Sequence, residues 1–245
     1  MDQTYKRKIR LFSKNNLDLN VFITLNFEET HYLKIVMRCN IGNVIYLFND
    51  IDGEYEAKIV DFQKKMFVLK IIKKTIRNER KVDLHLIFAP VKKERTEYIV
   101  QKATELGVSK ITPVYTERTI KRNLNFKRLS LIAKEASEQC ERMSIPEINY
   151  ARNLIELIED WDNKRSILYA DETMKKKFNF KETKLKISSK GSVLIGPEGG
   201  FSETEIKFLK SKKFVLPISL GPRILRSDTA AIVVLTYWFL LNSLN

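Results

Sequence analysis

The sequence predicts an α/β protein in two parts, a small β-barrel followed by a larger domain on a mainly parallel sheet. Three observations carry that expectation. Short strand-like runs crowd the first 74 residues, strand and helix patterns alternate from residue 83 onward, and the charged stretch Lys73–Lys81 ("KKTIRNERK") between them has no apolar period. The domains are therefore expected at 1–74 and 83–245, joined by a linker at 75–82. A chain of 245 residues is long enough to bury a core in each.

In the first part, "VIYLF" (44–48) and "EYEAKIVDF" (54–62) read as strands, with the turn-forming run Asn49-Asp50-Ile51-Asp52-Gly53 between them. "MFVLKII" (66–72) follows after the polar break Gln63-Lys64-Lys65. The hydrophobic segment His31–Met37, ahead of Gly42, predicts a short helix leading into the first of these strands. Several short strands at close spacing suggest a small barrel.

In the second part, "DLHLIFAP" (83–90) reads as a strand, and Glu94–Leu106 as a helix stopped by Gly107, the residue a left-handed C-cap prefers. "ITPVYT" (111–116) is a strand. Phe126–Glu141 is a helix with Leu129, Ile132, Ala133, Ala136 and Cys140 on one face. "SILYADE" (166–172) and "SVLIGPEGG" (192–200) are strands ending in polar turns, and Ser202 with Glu205 forms a capping box for a helix through Lys212. "VLPISLG" (215–221) is the last strand, and Ser227 or Asp228 caps a terminal helix.

Composition removes several classes. Eight Gly and six Pro exclude collagen-like and low-complexity chains, and 44% hydrophobic residues exclude wholesale disorder. Cys39, Cys140, His31 and His85 make neither a disulfide scaffold nor a sequence-evident metal site, so no metal is expected. The first ten residues carry no apolar signal region, and the longest apolar stretch, Ala230–Leu241, is too short to span a bilayer. A cytoplasmic location is the expectation. The net charge of +14 fits a polyanionic partner and coding bias in an A·T-rich genome equally well.

Four of the eight glycines lie between Gly196 and Gly221, in two strand-ending loops, "LIGPEGG" (194–200) and "SLGPRILR" (219–226). Ligands of open α/β sheets bind beyond the carboxyl ends of strands. Glycine lets the backbone approach such a ligand with no Cβ in between. Two such loops suit one flat, polar small molecule, although a pair of ordinary Gly-Pro turns would read the same way. No P-loop, no G-x-G-x-x-G after a strand and no G-x-S-x-G is present.

The segments "GPEGGFSETEI" (196–206) and "LGPRILRSDTAA" (220–231) resemble the C-terminal signature of the RsmE family. These are SPOUT-class methyltransferases acting on N3 of a uridine in 16S ribosomal RNA of the small ribosomal subunit. "QKATELGVSKITPVYTERT" (101–119), "AKEASEQCERMSIPEI" (133–148) and "HYLKIVMRCNIGN" (31–43) extend the resemblance over both domains. It implies a SPOUT α/β trefoil-knot methyltransferase domain behind a PUA-like barrel, S-adenosyl-L-methionine as cofactor and a homodimer. The terminal helix, with Val234, Tyr237, Trp238 and Leu241, suits a dimer contact or burial within one subunit.

By the same resemblance the cofactor pocket takes in Leu168, Tyr169 and Ala170. It continues through Leu194, Ile195, Gly196, Pro197, Glu198, Gly199 and Gly200, and ends with Ser219, Leu220, Gly221, Ile224, Leu225 and Arg226. Methylation at N3 needs a proton removed and a uracil anion stabilised. Arg226 is the first candidate for the second task and Arg118 the next. Glu198 and Glu135 are candidate bases or orienting carboxylates. Each arginine would equally well serve as a salt bridge fastening a loop. "YKRKIRLF" (5–12) interleaves cations and aromatics, so Lys6, Arg7 and Arg10, together with Lys121 and Arg122 of "KRNLNFKR" (121–128), are candidate RNA contacts. A solvated edge strand is the alternative for the first run.

Two departures from the family pattern are present. Ser227-Asp228-Thr229-Ala230 stands where Glu-Thr-Ala is usual after the arginine, and Tyr32 follows His31 where a second histidine is usual. His31 and His85 are expected to be structural. Other readings are a non-catalytic RNA-binding or ribosome-assembly protein with a vestigial pocket, and an α/β enzyme whose glycine loops hold a phosphorylated ligand.

Overall fold

The structure, a computed structural model, describes residues 8–75, 82–120, 122–172, 174 and 190–243. The chain packs as two units, residues 1–80 with 137–144 and residues 81–136 with 145–245. The expected linker at 75–82 lies almost wholly outside the described residues.

The first unit holds a five-stranded sheet in the order β1-β3-β4-β5-β2, from Arg10–Phe12 (β1), Phe22–Thr24 (β2), Val44–Asn49 (β3), Gly53–Gln63 (β4) and Met66–Thr75 (β5). All pairings are antiparallel except β1 with β3. Alternation drives it: Tyr55, Ala57 and Ile59 of β4 and Phe67, Leu69 and Ile71 of β5 are buried on one face. All five strands share one core, to which Leu11, Ile23, Ile45, Ile59 and Leu69 contribute together with Leu33. The β4–β5 hairpin turns through Lys64 and Lys65 at φ +48° and +65°, the type I′ geometry that matches strand twist.

The short helix begins earlier than expected. α1 spans Phe27–His31 and is closed by a capping box in which Asn26 and Glu29 exchange side-chain and backbone bonds. A π-helical turn, Tyr32–Val36, follows. The helical stretch thus starts at Phe27, behind the Asn26 cap and four residues before the apolar run, within which Leu33 is buried while Ile35 and Val36 are exposed.

Arg10 departs from the expected surface contact. It is 3% exposed, and its Nε donates to Glu54, itself 0% exposed, at 2.6 Å. Its remaining donors reach the carbonyls of Ser137 at 3.2 Å and Arg142 at 2.9 Å, and the guanidinium lies 3.9 Å from the Phe48 ring centroid. A cation beside an aromatic has the same sequence signature whether it faces RNA or the interior.

The second unit is built on a parallel sheet in the order β12-β10-β11-β6-β7-β8, with β9 also pairing β7. Its main strands are Leu84–Phe88 (β6), Lys110–Tyr115 (β7), Ser166–Ala170 (β10), Gly191–Ile195 (β11) and Val215–Ile218 (β12). Two-residue strands, Glu147–Ile148 (β8) and Arg152–Asn153 (β9), complete it. Every residue of β6 and β11 is buried, because helices cover both faces. On one side Leu86, Val193 and Leu168 pack with Lys93–Glu105 (α2), Phe126–Gln139 (α3) and Ser227–Ser243 (α6). On the other, Ile87, Leu194 and Ile167 pack with Leu154–Glu159 (α4) and Glu203–Ser211 (α5).

Local chemistry ends these helices where the sequence indicates. Gly107, at φ +86°, closes α2 in a Schellman motif, with Val108 N bonded to the Ala103 carbonyl and Gly107 N to that of Thr104. On α6, Val234 and Trp238 are buried in this unit's own core, while Phe239 and Leu240 are exposed. The Trp238 indole occupies the place a Cβ on Gly191 would take, 1.7 Å from Nε1. The amino ends of β6, β10 and β11 are stitched together by Arg165, which bonds Ser192 Oγ, the Gly191 carbonyl and the Asp83 carboxylate.

His85 is structural. It is 6% exposed, stacks on Trp161 with centroids 5.4 Å apart and shares a 2.8 Å hydrogen bond with Thr112. Burial, with Arg165 and Lys110 nearby, pushes its pKa down from 6.5 to about 3. Among the described residues no helix is long and apolar enough to cross a membrane.

Two outcomes follow for stability. Arg10→Ala removes the closest cation from buried Glu54, leaving it Lys8 at 3.7 Å and the Thr75 hydroxyl at 3.0 Å, and is expected to cost about 3 kcal/mol in urea unfolding. Arg10→Met with Glu54→Leu should recover only part, because the carbonyls of Ser137 and Arg142 still lose their donors. For His85, the unfolded chain takes up a proton below pH 6.5 and the folded chain only near about 3, so stability falls as pH drops through that window. His85→Phe should remove up to about 1.4 kcal/mol of that loss per pH unit, read from unfolding curves at pH 7 and pH 4.5.

Candidate active site

Strands β10, β11 and β12 end at the same edge of the sheet, and the loops that follow them enclose one pocket. Tyr169 to Glu172 form the first wall, Ile195 to Pro197 with Gly200 and Phe201 the second, and Leu220 to Leu225 the third. Ile206, Ser227 and Ala230 close it. The walls combine apolar side chains, backbone from both glycine loops, and the polar groups of Asp171, Glu172, Arg223 and Ser227.

The loop after β11 is held from several directions. Ser227 Oγ donates to the Gly196 carbonyl at 2.9 Å, and Gly200 N to the Pro197 carbonyl at 2.9 Å. Gly200 sits at φ +67°, the left-handed region that favours glycine, and a Cβ there would displace the tip of the Glu172 side chain, 2.6 Å away. Arg118 Nη1 donates to the Gly199 carbonyl at 2.8 Å. Arg95, on the first turn of α2, lies 3.6 Å from Glu198 and 3.9 Å from Asp228.

Glu205 ties two loops together. One carboxylate oxygen completes the predicted capping box by accepting from Ser202 N at 2.8 Å, and the other accepts from Glu117 N at 2.9 Å. The side chain is buried, at 2% exposure.

The sequence-predicted residues divide as follows. Tyr169, Ala170, Ile195, Gly196, Pro197, Gly200, Leu220, Gly221, Ile224 and Leu225 line the pocket. Leu168 and Leu194 are buried in the two faces of the sheet instead, because they lie a residue further back from the strand ends, beneath the covering helices. Ser219 is buried, its hydroxyl accepting from Gly221 N at 3.4 Å. Glu198 and Gly199 turn outward to Arg95 and Arg118, and Arg226 is exposed just past the pocket wall. Glu135 is exposed on α3, away from the pocket lining. Arg122 is exposed beside the Tyr115 ring, 5.4 Å from its centroid. Lys6, Arg7 and Lys121 lie outside the described residues.

Sequence reasoning missed Asp171, Glu172, Arg95 and the second bond of Glu205, to Glu117 N. The first two continue directly from a predicted strand end, and that adjacency was the available signal. Asp171 is 2% exposed and pairs with Lys210 at 3.0 Å. Burial first, then Asp171, Glu172 and Glu205, raises the pKa of Tyr169. Among the described residues no group of three or more His, Cys, Asp or Glu is placed to hold a metal.

Comparison with known proteins gives this architecture its class. The family model described as RNA methyltransferase domain matches residues 78–239, and that of RNA methyltransferase PUA domain matches residues 25–72. Ribosomal RNA small subunit methyltransferase E of Buchnera aphidicola (Acyrthosiphon pisum) is 34% identical over 240 residues, covering 94% of this chain and 92% of its own. Its counterpart in Rickettsia conorii is 33% identical, covering 96% of each. Among solved structures, a Legionella pneumophila methyltransferase in complex with bound S-adenosylmethionine superposes with TM-score 0.85 at 30% identity, over 98% of both chains. The small subunit methyltransferase E of Neisseria gonorrhoeae, bound to S-adenosylmethionine, gives TM-score 0.85 at 26% identity over 96% of this chain and 98% of its own. The chain belongs to the ribosomal RNA small subunit methyltransferase E family.

Glu205 offers a direct check on how the loops are held. Glu205→Ala leaves two backbone donors without their acceptor and is expected to cost about 2–3 kcal/mol in thermal or urea unfolding. Glu205→Gln, which keeps one acceptor oxygen, should lose about half as much.

Proposed function

We propose that this protein is an S-adenosylmethionine-dependent methyltransferase that methylates N3 of a uridine in 16S ribosomal RNA. The observation that carries the reading is the pocket between the two glycine loops, in a chain that superposes over nearly its full length on a methyltransferase holding S-adenosylmethionine. The lining fits that molecule. Ile195, Leu220, Leu225 and Ala230 offer apolar surface to a flat purine, the glycine loops offer backbone donors and acceptors, and the Glu172 carboxylate suits a ligand of positive charge, beside Asp171 held by Lys210. The vestigial-pocket alternative gains no support, since both loops are intact and line the cavity.

Bound there, S-adenosylmethionine supplies a methyl group on a positively charged sulfur. The chain's own residues then have three tasks. The loops from Gly196 and from Leu220 hold the donor in a fixed orientation, and fixed register accounts for much of the acceleration in a two-reactant step. The Arg226 guanidinium, at the end of the third wall, stabilises negative charge on the uracil oxygens as the N3 proton leaves. Glu198 is the candidate to orient or accept that proton, with Arg95 holding its carboxylate.

The same reading takes the small ribosomal subunit as substrate, the cytoplasm as location and a homodimer as the working form, with Phe239 and Leu240 on the exposed side of α6. It also carries the family's knotted C-terminal trace.

Arg226→Ala is expected to lower methyl transfer to unmodified small subunits by at least about 100-fold while calorimetric binding of S-adenosylmethionine persists. Wild-type turnover in this variant would remove Arg226 from the mechanism. Native mass spectrometry giving a monomer would remove the dimer.

A further inference from the structure

A second cavity opens at the same edge of the parallel sheet, and the first pocket does not account for it. The strand order places β11, β6 and β7 side by side, so the loops leaving β6 and β7 neighbour the glycine loop after β11. Between the start of α2, after β6, and the segment leading into α3, after β7, lies a cavity of about 540 Å³. Lys93 and Glu97 line one side, and Asn123, Phe126, Lys127 and Arg128 the other.

The lining is mixed in a particular way. Arg128 is engaged by Glu97 at 3.4 Å, and Asn125 caps α3 by accepting from Arg128 N at 3.0 Å. Lys93 and Lys127 are exposed and form no ion pair among the described residues. Phe126 packs edge-on against Tyr150, with ring centroids 5.0 Å apart at 63°. Tyr150 is outside the lining itself, next to Phe126, and is 80% exposed, a large aromatic held in place yet left to solvent.

We propose that this groove holds an unpaired nucleotide of the RNA substrate flanking the one that is methylated. Lys93 and Lys127 would meet its phosphates, and Tyr150 would stack on its base. The proposal rests on the methyltransferase reading above and adds to it a second RNA-contact site in the catalytic unit. Exposed cations answer to phosphate, and an exposed ring fixed by a neighbour answers to a base. An acidic peptide would use the cations but gives the ring no planar partner. The route between the sites is short: two strand spacings, about 10 Å, separate β11 from β7. Arg118, from the loop that leads to Asn123, already touches the Gly199 carbonyl.

The test uses the full chain with Tyr150→Ala and with Lys93→Glu/Lys127→Glu. Binding of fluorescent oligouridylate is followed by anisotropy across a salt series, with polyglutamate as a second probe. Methylation of unmodified small subunits and calorimetric binding of S-adenosylmethionine are measured alongside. Tyr150→Ala should weaken oligouridylate about tenfold and leave polyglutamate unaffected. The charge variant should reduce the slope of log affinity against log salt by about 1 to 2. In both variants KM for subunits should rise with kcat and S-adenosylmethionine binding unchanged.

Wild-type affinity and slope in both variants would overturn the proposal, as would equal losses of polyglutamate and oligouridylate in Tyr150→Ala. If the wild-type protein methylates no RNA while the variants lose oligouridylate, the groove stands and the functional reading falls.

Discussion

Helices cover both faces of the parallel sheet, so β6 and β11 are buried at every position and no polar group can be displayed from a sheet face. Main-chain groups outside the ladders are confined to the strand ends. At the amino end Arg165 satisfies them, bridging strand carbonyls and the Asp83 carboxylate. At the carboxyl end the loops diverge, and the space between them is where ligands fit. The glycine pocket and the groove beside it are both consequences of this one layering.

Most of the sheet was legible because its strands are apolar runs of ordinary length. Helix α2 was legible because Gly107 marks its end, and α5 because Ser202 and Glu205 mark its beginning. What escaped notice was short. Strands β2, β8 and β9 have two or three residues each and α4 has six, too few to establish a period. Helix α1 was placed late because the apolar run after it was taken for its start, while its first turn is marked by the polar cap Asn26 and Glu29.

The candidate site divides along a similar line. Glycine loops are visible in a sequence because the residue type itself states a backbone requirement. Arg95's pairing with Glu198 and Glu205's with Glu117 N carry no such mark, since these partners are brought together only by the order of strands in the sheet. Arg10 was misread for a related reason. Its fork of donors reaches a carboxylate and two carbonyls at once, a geometry that lysine cannot supply and that composition cannot distinguish from a surface cation. Arg118 and Arg165 repeat the pattern, each spending its guanidinium on backbone carbonyl groups.

The two bonds of Glu205 have a bearing on binding as well as folding. Because one buried carboxylate holds both the start of α5 and the turn after β7, these segments lose their conformational freedom together when the chain folds. The entropy of ordering them is already spent before a ligand arrives. Affinity at this edge of the sheet is thereby relieved of a cost that a pair of loose loops would impose at each encounter. A single side chain buried beneath the site, touching nothing that binds, sets how much of the contact energy remains as affinity.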